Sequence, residues 1–584
     1  MIDGATPESP NWLSQVLAPE RVGSAEEVAW DEAADLVVVG YGGAGVAAAL
    51  QAREDGLSVI ALDRFEGGGS TAMNGGIVYA GAGTAIQQAA GVTDSAEEMF
   101  KYLQKEVQGV VSDATLWRFC QESPALIDWA MRHGVEFRPS LYSKKTSYPP
   151  LEYYLYHPDS SLAGSYQAVA KPAARGHKVY SNFTSKTGIG FGVALFNPLR
   201  DAAARLGVKV ETQAEVRQLI VDAAGRVVGV KTLQFPPGSP AAEQHRRTLA
   251  TARRLLLALP PSFPGGKLLW ALAARYGRRA KALEDAHRAP RRIRARAGVC
   301  LSAGGFVYNR AMVAALAPKF VAGMPLGNPG DDGSGIRLGQ SVGGAVDRMH
   351  HLSGWRFINP PGAFARGMLV NAHGERFCDE MLYGAAIGHE MCENQGGKAY
   401  IILDRGLYRL AWRQIFHDKL LPFQRDPAAL ALLFPRGRSD TLSGLARRLG
   451  FDEVRFAATV LAYNDAAGER QPDEFGKLPE DMDALTTAPY YAIDVSITSR
   501  LFPLATLTLG GLVVDEASGQ VRGTDGTAIA GLYAAGRNAI GICSHLYVSG
   551  LSAADCLFSG RRAARHAAAV SRGEDAAATV EQEV

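Results

Sequence analysis

Six residues near the N-terminus have the types and spacing that hold a pyrophosphate. Gly40-Tyr41-Gly42-Gly43-Ala44-Gly45 follows the apolar run that starts at Asp35 and opens the small-residue stretch VAAALQARED. In such a loop Gly40 allows the tight turn, Gly42 lets backbone amides approach phosphate oxygens, and Gly45 lets helix pack on strand. The phosphate then rests on the helix N-terminus, where unpaired N–H groups and the helix dipole favour an anion. Asp63 closes a second apolar run, Leu57 to Leu62, about twenty residues on, and offers a carboxylate to a ribose hydroxyl. A lone glycine-rich turn is weak evidence; strand, helix, second strand and acid in register predict a dinucleotide-binding βαβ unit.

The elements around this unit need far more chain than one small core. The 584 residues are 47% hydrophobic and 21% charged, ordinary globular composition for two or more domains. Both ends of the chain bear on which dinucleotide is held. Asp63-Arg64 leads into FEGGGSTAMNGG, and the chain closes with Gly531-Leu532-Tyr533-Ala534-Ala535-Gly536-Arg537 and then SHLYVSGLSAADCLFSGRRAARHAA. Together with a strand and turn at Val208 to Val230, LSAGGF at Leu301 to Phe306 and GDDGSGIRLGQSVGGA at Gly330 to Ala345, these motifs resemble the fumarate reductase and 3-ketosteroid dehydrogenase flavoprotein superfamily. The resemblance runs from Asp35 to about His566.

That resemblance implies an α/β fold, a discontinuous Rossmann-type FAD-binding domain with an inserted α+β cap. The expected order is an N-terminal extension (1–30), the first segment of the FAD domain (31–305), the cap (306–490), the second segment of the FAD domain (491–570) and a tail (571–584). It assigns FAD contacts to Gly40, Gly42, Gly43, Ala44, Gly45, Asp63, Arg64, Gly69, Ser70, Thr71, Gly75, Gly76, Val216, Gly536 and Arg537. Gly550, Leu551 and Ser552 start a helix whose N-terminus would face the flavin pyrimidine and favour its reduced charge. Some relatives attach FAD covalently through a histidine near the Gly-Gly-Ser motif; Ser70 to Gly76 reads STAMNGG, so noncovalent FAD is expected.

Substrate class turns on what stands where relatives bind carboxylates. Fumarate reductases carry a clamping arginine in a C-terminal segment, and alignment of the glycines that follow puts Tyr547 there. A dicarboxylate without its guanidinium partner loses charge-assisted hydrogen bonds worth about 1.5–3 kcal/mol each. Tyrosine in that slot is similar to the 3-ketosteroid dehydrogenases, which also carry a tyrosine after a cap element matching Arg376-Phe377-Cys378-Asp379-Glu380, here Tyr383. Tyr547-Val548-Ser549-Gly550 is closer to the Δ4-(5α) enzymes than to the Δ1 enzymes, and Asp379 departs from the commoner Asn. Dehydrogenation beside a ketone needs a carbonyl polariser, a base for the acidified α-proton and a hydride acceptor, the last being FAD N5. Tyr547, assisted by Ser549, and Tyr383 are expected to divide the first two roles. The alternative is a fumarate- or urocanate-type enoate reductase, for which Arg366 or Arg376 would have to reach the substrate.

Charge and targeting bound the partners. The net charge of +2 implies no strong overall field, yet between Arg246 and Arg296 fourteen Lys or Arg stand against two acids, Glu284 and Asp285. Within this basic insertion, about 236–297, Leu268, Leu269, Leu272 and Tyr276 share a helix face beside Trp270 and flanking arginines. Peripheral membrane contact through 260–296 is one reading; a solvated loop or a self-association surface is the other. No aromatic-studded basic platform suggests nucleic acid. The six cysteines lack CxxC spacing and no metal site is expected. With no secretory pattern and no long apolar run, the chain is expected in the cytoplasm or at the inner membrane face, acting on a hydrophobic steroid and passing electrons to an external acceptor.

Overall fold

The structure, a computed structural model, describes residues 13–182, 190–259, 265–469 and 471–574. Its centre is a nine-stranded sheet. The strand Glu32–Val39 lies between Ala289–Leu301 and Val59–Leu62, parallel to both, and Lys209–Glu211 continues the parallel run. Leu36, Val37 and Val38 are fully buried, as an unbroken apolar run must be when helices or strands cover both sheet faces. Ala214–Val221 and Val227–Gln234 extend the sheet antiparallel, and Ala528–Ala534 returns from the far end of the chain to pair with Val299–Leu301. This is the expected discontinuous α/β arrangement.

Two glycines make the loop after Glu32–Val39 possible. Gly40 has φ +95°, where a side chain is strained, and a Cβ at Gly45 would sit 2.0 Å from the Gly40 carbonyl oxygen. The helix Gly43–Glu54 is then pressed against the C-terminal helix Leu551–Arg572. Alanines line the contact: Ala47, Ala48, Ala564 and Ala567 are wholly buried, and a Cβ on Gly560 would meet the Ala44 carbonyl oxygen at 2.4 Å.

Beyond the main sheet, residues 368–494 carry their own four-stranded antiparallel sheet, in the order Met368–Val370, Tyr400–Leu403, Tyr490–Asp494, Gly437–Ser439. A small sheet pairs Leu352–Trp355 antiparallel with Ala505–Thr508. Ile77–Tyr79, Gly176–Lys178, Leu155–Tyr156 and Leu141–Tyr142 form a further sheet.

The basic insertion is a helical hairpin, Pro240–Ala258 packed on Gly266–His287; residues 260–264 of the segment expected at a membrane lie outside the described residues. The expected single apolar face is split. Trp270 and Tyr276 turn inward against Leu249, Ala252 and Leu256, and the Trp270 Nε1–H donates to the Leu259 carbonyl (3.2 Å), whereas Leu268 and Leu272 face outward, Leu268 at 73% exposure. A partner helix within the chain claims one side, so Trp270 is a packing residue of the hairpin. Most of the charge is neutralised as well. Arg291 pairs with Glu32 and Glu211, Arg292 with Glu20, Arg294 with Glu26 and Arg296 with Asp35. Arg275, Arg278 and Arg279, beside the exposed leucines, form no ion pair among the described residues.

Candidate active site and cofactor cleft

A cleft opens where the glycine loop, the Asp63–Thr71 segment and the C-terminal strand end meet. Gly40, Gly42, Gly43, Ala44, Asp63, Arg64, Gly69, Ser70, Thr71, Val216, Gly536 and Arg537 all line it. The Asp63 carboxylate accepts the amides of Tyr41 (2.9 Å), Phe65 (2.8 Å) and Gly67 (3.2 Å), so it ties the two loops together as well as edging the cleft. Arg64 is held by Asp332 (3.3 Å), Glu284 (3.6 Å) and Glu215 (3.9 Å). Glu284 belongs to the helical hairpin and also pairs with Arg288 (3.0 Å). Despite burial, the neighbouring hydrogen bond from His245 and the two arginines pull its pKa down to about 2. The insertion is therefore docked on the cofactor cleft by a buried charge network.

Ser70 hydrogen-bonds Asp331, which Arg537 approaches to 3.3 Å; both charged groups line the cleft. The open ground over Gly42, where an added Cβ would come no nearer than 3.8 Å to Gly69 Cα, together with the amides at the start of Gly43–Glu54 and the Arg537 cation, fits a pyrophosphate-linked dinucleotide. Gly45, Gly75, Gly76, Gly550, Leu551 and Ser552 do not line this cleft; Gly45 packs the helix against the Gly40 carbonyl. Gly75 accepts from the Tyr148 hydroxyl (2.7 Å), Gly76 packs on Val179, and the Gly550 carbonyl accepts from the Tyr79 amide (3.1 Å).

In a tyrosine cluster the structure brings Tyr547 and Tyr383 together, ring centroids 6.4 Å apart. Trp355 stacks on Tyr547 at 4.7 Å, and Phe357 meets Tyr383 edge-on at 5.6 Å. Ser549 accepts from the Tyr156 hydroxyl at 3.0 Å and stands close enough to Tyr383 to lower its pKa. Burial raises the pKa of all three phenols above the ordinary value for tyrosine; the Gly550 amide works against the rise at Tyr547, and Ser549 against it at Tyr383 and Tyr156. The resting site thus holds neutral phenols. Tyr156 and Lys145 were not expected. The Lys145 Nζ donates to the Asp159 carbonyl (2.6 Å), stands 6.0 Å from the Tyr383 ring, and burial lowers its pKa to about 8. Neither carries a motif; the sheet that sets Leu155–Tyr156 beside Gly176–Lys178 delivers Tyr156 to Ser549.

The arginines that the enoate reading requires are occupied. Arg366 forms paired bonds to Asp483 (2.7 Å each), and Arg376 binds Glu380 (2.8 Å) and Asp473 (2.6 Å). Asp379, beside Glu380, is buried with one carboxylate oxygen lacking a hydrogen-bond partner, and burial raises its pKa to about 7.

Residues 35–550 match the FAD binding domain family. The chain belongs to this family. Within it, the flavoprotein is 37% identical over 526 residues to the 3-oxo-5-alpha-steroid 4-dehydrogenase of Comamonas testosteroni, a match covering 88% of this chain and 94% of that one. It is similar in structure (TM-score 0.77, 29% identity, 94% of this chain and 100% of the other) to 3-ketosteroid-Δ4-(5α)-dehydrogenase from Rhodococcus jostii RHA1 in complex with 4-androstene-3,17-dione. The cytochrome-type fumarate reductase of Shewanella frigidimarina is more distant, 24% identical over 92% of this flavoprotein and 77% of its own length.

Proposed function

We propose that the flavoprotein dehydrogenates a 3-ketosteroid, introducing the C4–C5 double bond beside the ketone. The observation that carries this is the convergence of Tyr547, Tyr383 and Ser549 beside Trp355 and Phe357, with both cap arginines saturated by acids. A flat apolar molecule bearing one carbonyl suits such walls; a dicarboxylate does not. FAD, when bound, supplies the hydride acceptor.

The residues divide the remaining work. Tyr547, whose pKa the Gly550 amide at the start of the C-terminal helix works to lower, donates to the ketone and stabilises the enolate as charge develops. Tyr383 receives the α-proton. Burial makes a free phenolate costly, so it does this only by passing its own proton to Ser549, whose hydroxyl, an acceptor from Tyr156 at rest, turns to donate to Tyr156 while Tyr156 releases its own proton towards solvent. Such positioned proton transfer contributes roughly 10²–10⁴-fold. Trp355 and Phe357 keep water from the ring system.

Anaerobic titration decides the reading. The flavin absorbance should bleach with 5α-androstane-3,17-dione and far more slowly with 4-androstene-3,17-dione or succinate; faster bleaching by 4-androstene-3,17-dione would reassign the chemistry to Δ1, and bleaching by succinate alone would overturn the steroid assignment.

The helical hairpin is the surface on which the flavoprotein meets an anionic membrane, the phase in which a steroid dissolves. Exposed Leu268 and Leu272 beside Lys267, Arg275, Arg278 and Arg279 support this. Among the described residues no helix is long and apolar enough to cross a membrane.

A further inference from the structure

Three histidines from distant parts of the chain meet beside the tyrosine cluster. The ring centroids of His351, His389 and His545 lie 5.5 to 6.3 Å apart in every pairing, with His350 against His351 at 4.4 Å. Arg348, a non-glycine residue at φ +53°, places its Nη1 3.2 Å from His545 Nδ1. Strain of that kind persists only where surrounding structure enforces it. The cluster is short of negative charge. Among the described residues the Arg348 guanidinium has no carboxylate partner, the adjacent Asp347 accepting only the Arg348 amide (2.6 Å); Glu393 is engaged by Lys319 (2.6 Å), and Glu390 accepts from Asn394 (2.6 Å) and Gln395 (3.1 Å). Burial, then repulsion among the imidazoles and from Arg348, pushes the pKa of His351 and His545 down to about 4.

The cluster is continuous with the reaction site. His545 precedes Tyr547 by two residues; alternation puts Ser353 and Trp355 on one face of the strand Leu352–Trp355, and carried one residue back, where the His351 carbonyl accepts from the Leu509 amide (3.1 Å), it sets His351 on the same side. The cross-strand neighbours agree, because Ser353 pairs with Leu507, which packs in the same core as Tyr547, while Leu352 and Thr508 face the other core. Two donors on this face are unsatisfied: the Ser353 hydroxyl, 3% exposed, and the Trp355 indole N–H. From Trp355 to His351 is roughly 13 Å along the strand, comparable to the long axis of a steroid nucleus. Buried donors without acceptors mark a surface built for a ligand that brings acceptors.

We propose that Arg348, His351, His389 and His545 form a receptor for a carboxylate at the end of the steroid remote from the reacting ketone, with Ser353 and Trp355 lining the way. The proposal rests on the dehydrogenase reading and deepens it, since the preferred substrate becomes an acidic 3-ketosteroid. A metal ion is a poor occupant, because a guanidinium already stands against His545, and among the described residues no group of three His, Cys, Asp or Glu has the geometry to hold one. Arg348 supplies the single positive charge at neutral pH; the imidazoles supply oriented N–H donors.

The test compares 3-oxo-5α-cholan-24-oic acid, its methyl ester and 5α-androstane-3,17-dione. The holoenzyme should favour the acid over the ester by about tenfold or more in kcat/KM. Arg348→Gln should erase that preference while leaving the ester and the dione within about twofold, and Arg348→Lys should restore part of it. Equal kcat/KM for acid and ester, or an equal fall for all three substrates in Arg348→Gln, overturns the receptor. Should Arg348→Gln fail to retain flavin, His389→Gln is read by the same criteria. Equilibrium dialysis separates the two readings: binding of the acid but not the ester, without oxidation of any of the three, keeps the receptor and sinks the dehydrogenase assignment, whereas neither binding nor oxidation sinks both.

Discussion

The rings of Tyr383 and Tyr547, 164 positions apart in the chain, lie 6.4 Å from each other, each braced by an aromatic residue from the segment 355–357. Neither bracing contact uses the phenol oxygen, so the stacking leaves both hydroxyls to serve a ligand's carbonyl or α-carbon. Tyr383→Phe and Tyr547→Phe should each lower kcat by about 10²–10⁴-fold while the flavin spectrum and thermal midpoint stay unchanged. Steady-state rates with 5α-androstane-3,17-dione read the effect, and a loss below threefold in either variant would remove that residue from the mechanism.

Tyr156 tests the relay. Tyr156→Phe deletes the hydroxyl that donates to Ser549 at 3.0 Å but leaves Tyr383 and Tyr547 in place. The expected result is a fall of about tenfold in kcat with KM unchanged and a smaller solvent deuterium isotope effect, because the proton then leaves through water. An unaltered isotope effect would show that the proton takes another route.

Asp379→Asn should stabilise the protein at alkaline pH. Burial raises this carboxyl to about 7 in the folded state, above the ordinary value of 3.8. Its contribution to stability is therefore fully present below pH 3.8 and is lost as pH rises through about 7. Asn mimics the protonated form, so the variant should gain on the order of 4 kcal/mol at pH 8 and nothing at pH 4. Urea unfolding at the two pH values measures the difference, and an equal gain at both would point to packing instead of titration.

Glu284, held near 2 by His245, Arg64 and Arg288, has the opposite sign. Its stabilisation is complete above about 4.5 and disappears as pH falls towards 2. Glu284→Gln should abolish this acid-sensitive component and loosen FAD at neutral pH, since Arg64 at the cleft loses a partner; equilibrium dialysis of FAD checks it. Unchanged affinity would mean that the hairpin is docked independently of the cofactor.

The hairpin should carry the protein to vesicles of mixed phosphatidylcholine and phosphatidylglycerol at low salt, and release it at high salt. Replacing Arg275, Arg278 and Arg279 by Gln should cut partitioning by more than tenfold, at about 1 kcal/mol per charge, and leave kcat with soluble substrate intact. Wild-type protein remaining in the supernatant at low salt would dismiss the contact.

The glycine loop was legible because its requirements are local: Gly45 must lack a side chain to let the helix meet Gly40, and six residues contain the whole reason. Tyr547 and Tyr383 were legible through motif resemblance. Tyr156 and His389 were not, since each is brought in by a sheet pairing or helix packing that no nearby residue announces, and Lys145 sits in a loop without a motif. The charge run from Arg246 to Arg296 was visible, but its neutralisation by Glu20, Glu26, Glu32 and Asp35 depends on strand Ala289–Leu301 lying beside the N-terminal segments. The apolar stripe on Gly266–His287 misled for the same reason, because a second helix 20 residues upstream took Trp270 and Tyr276.

The strand Ala289–Leu301 pairs through its first half with Val227–Gln234 and through its end with Ala528–Ala534. A ribosome making this chain therefore displays Val299–Leu301 as an open sheet border until residue 534 has emerged, and the cleft lacks Gly536 and Arg537 for the same interval. Capture of FAD becomes a late event in biosynthesis, and a chain that stops short of its last eighth leaves both an unfilled cofactor seat and a template for aggregation.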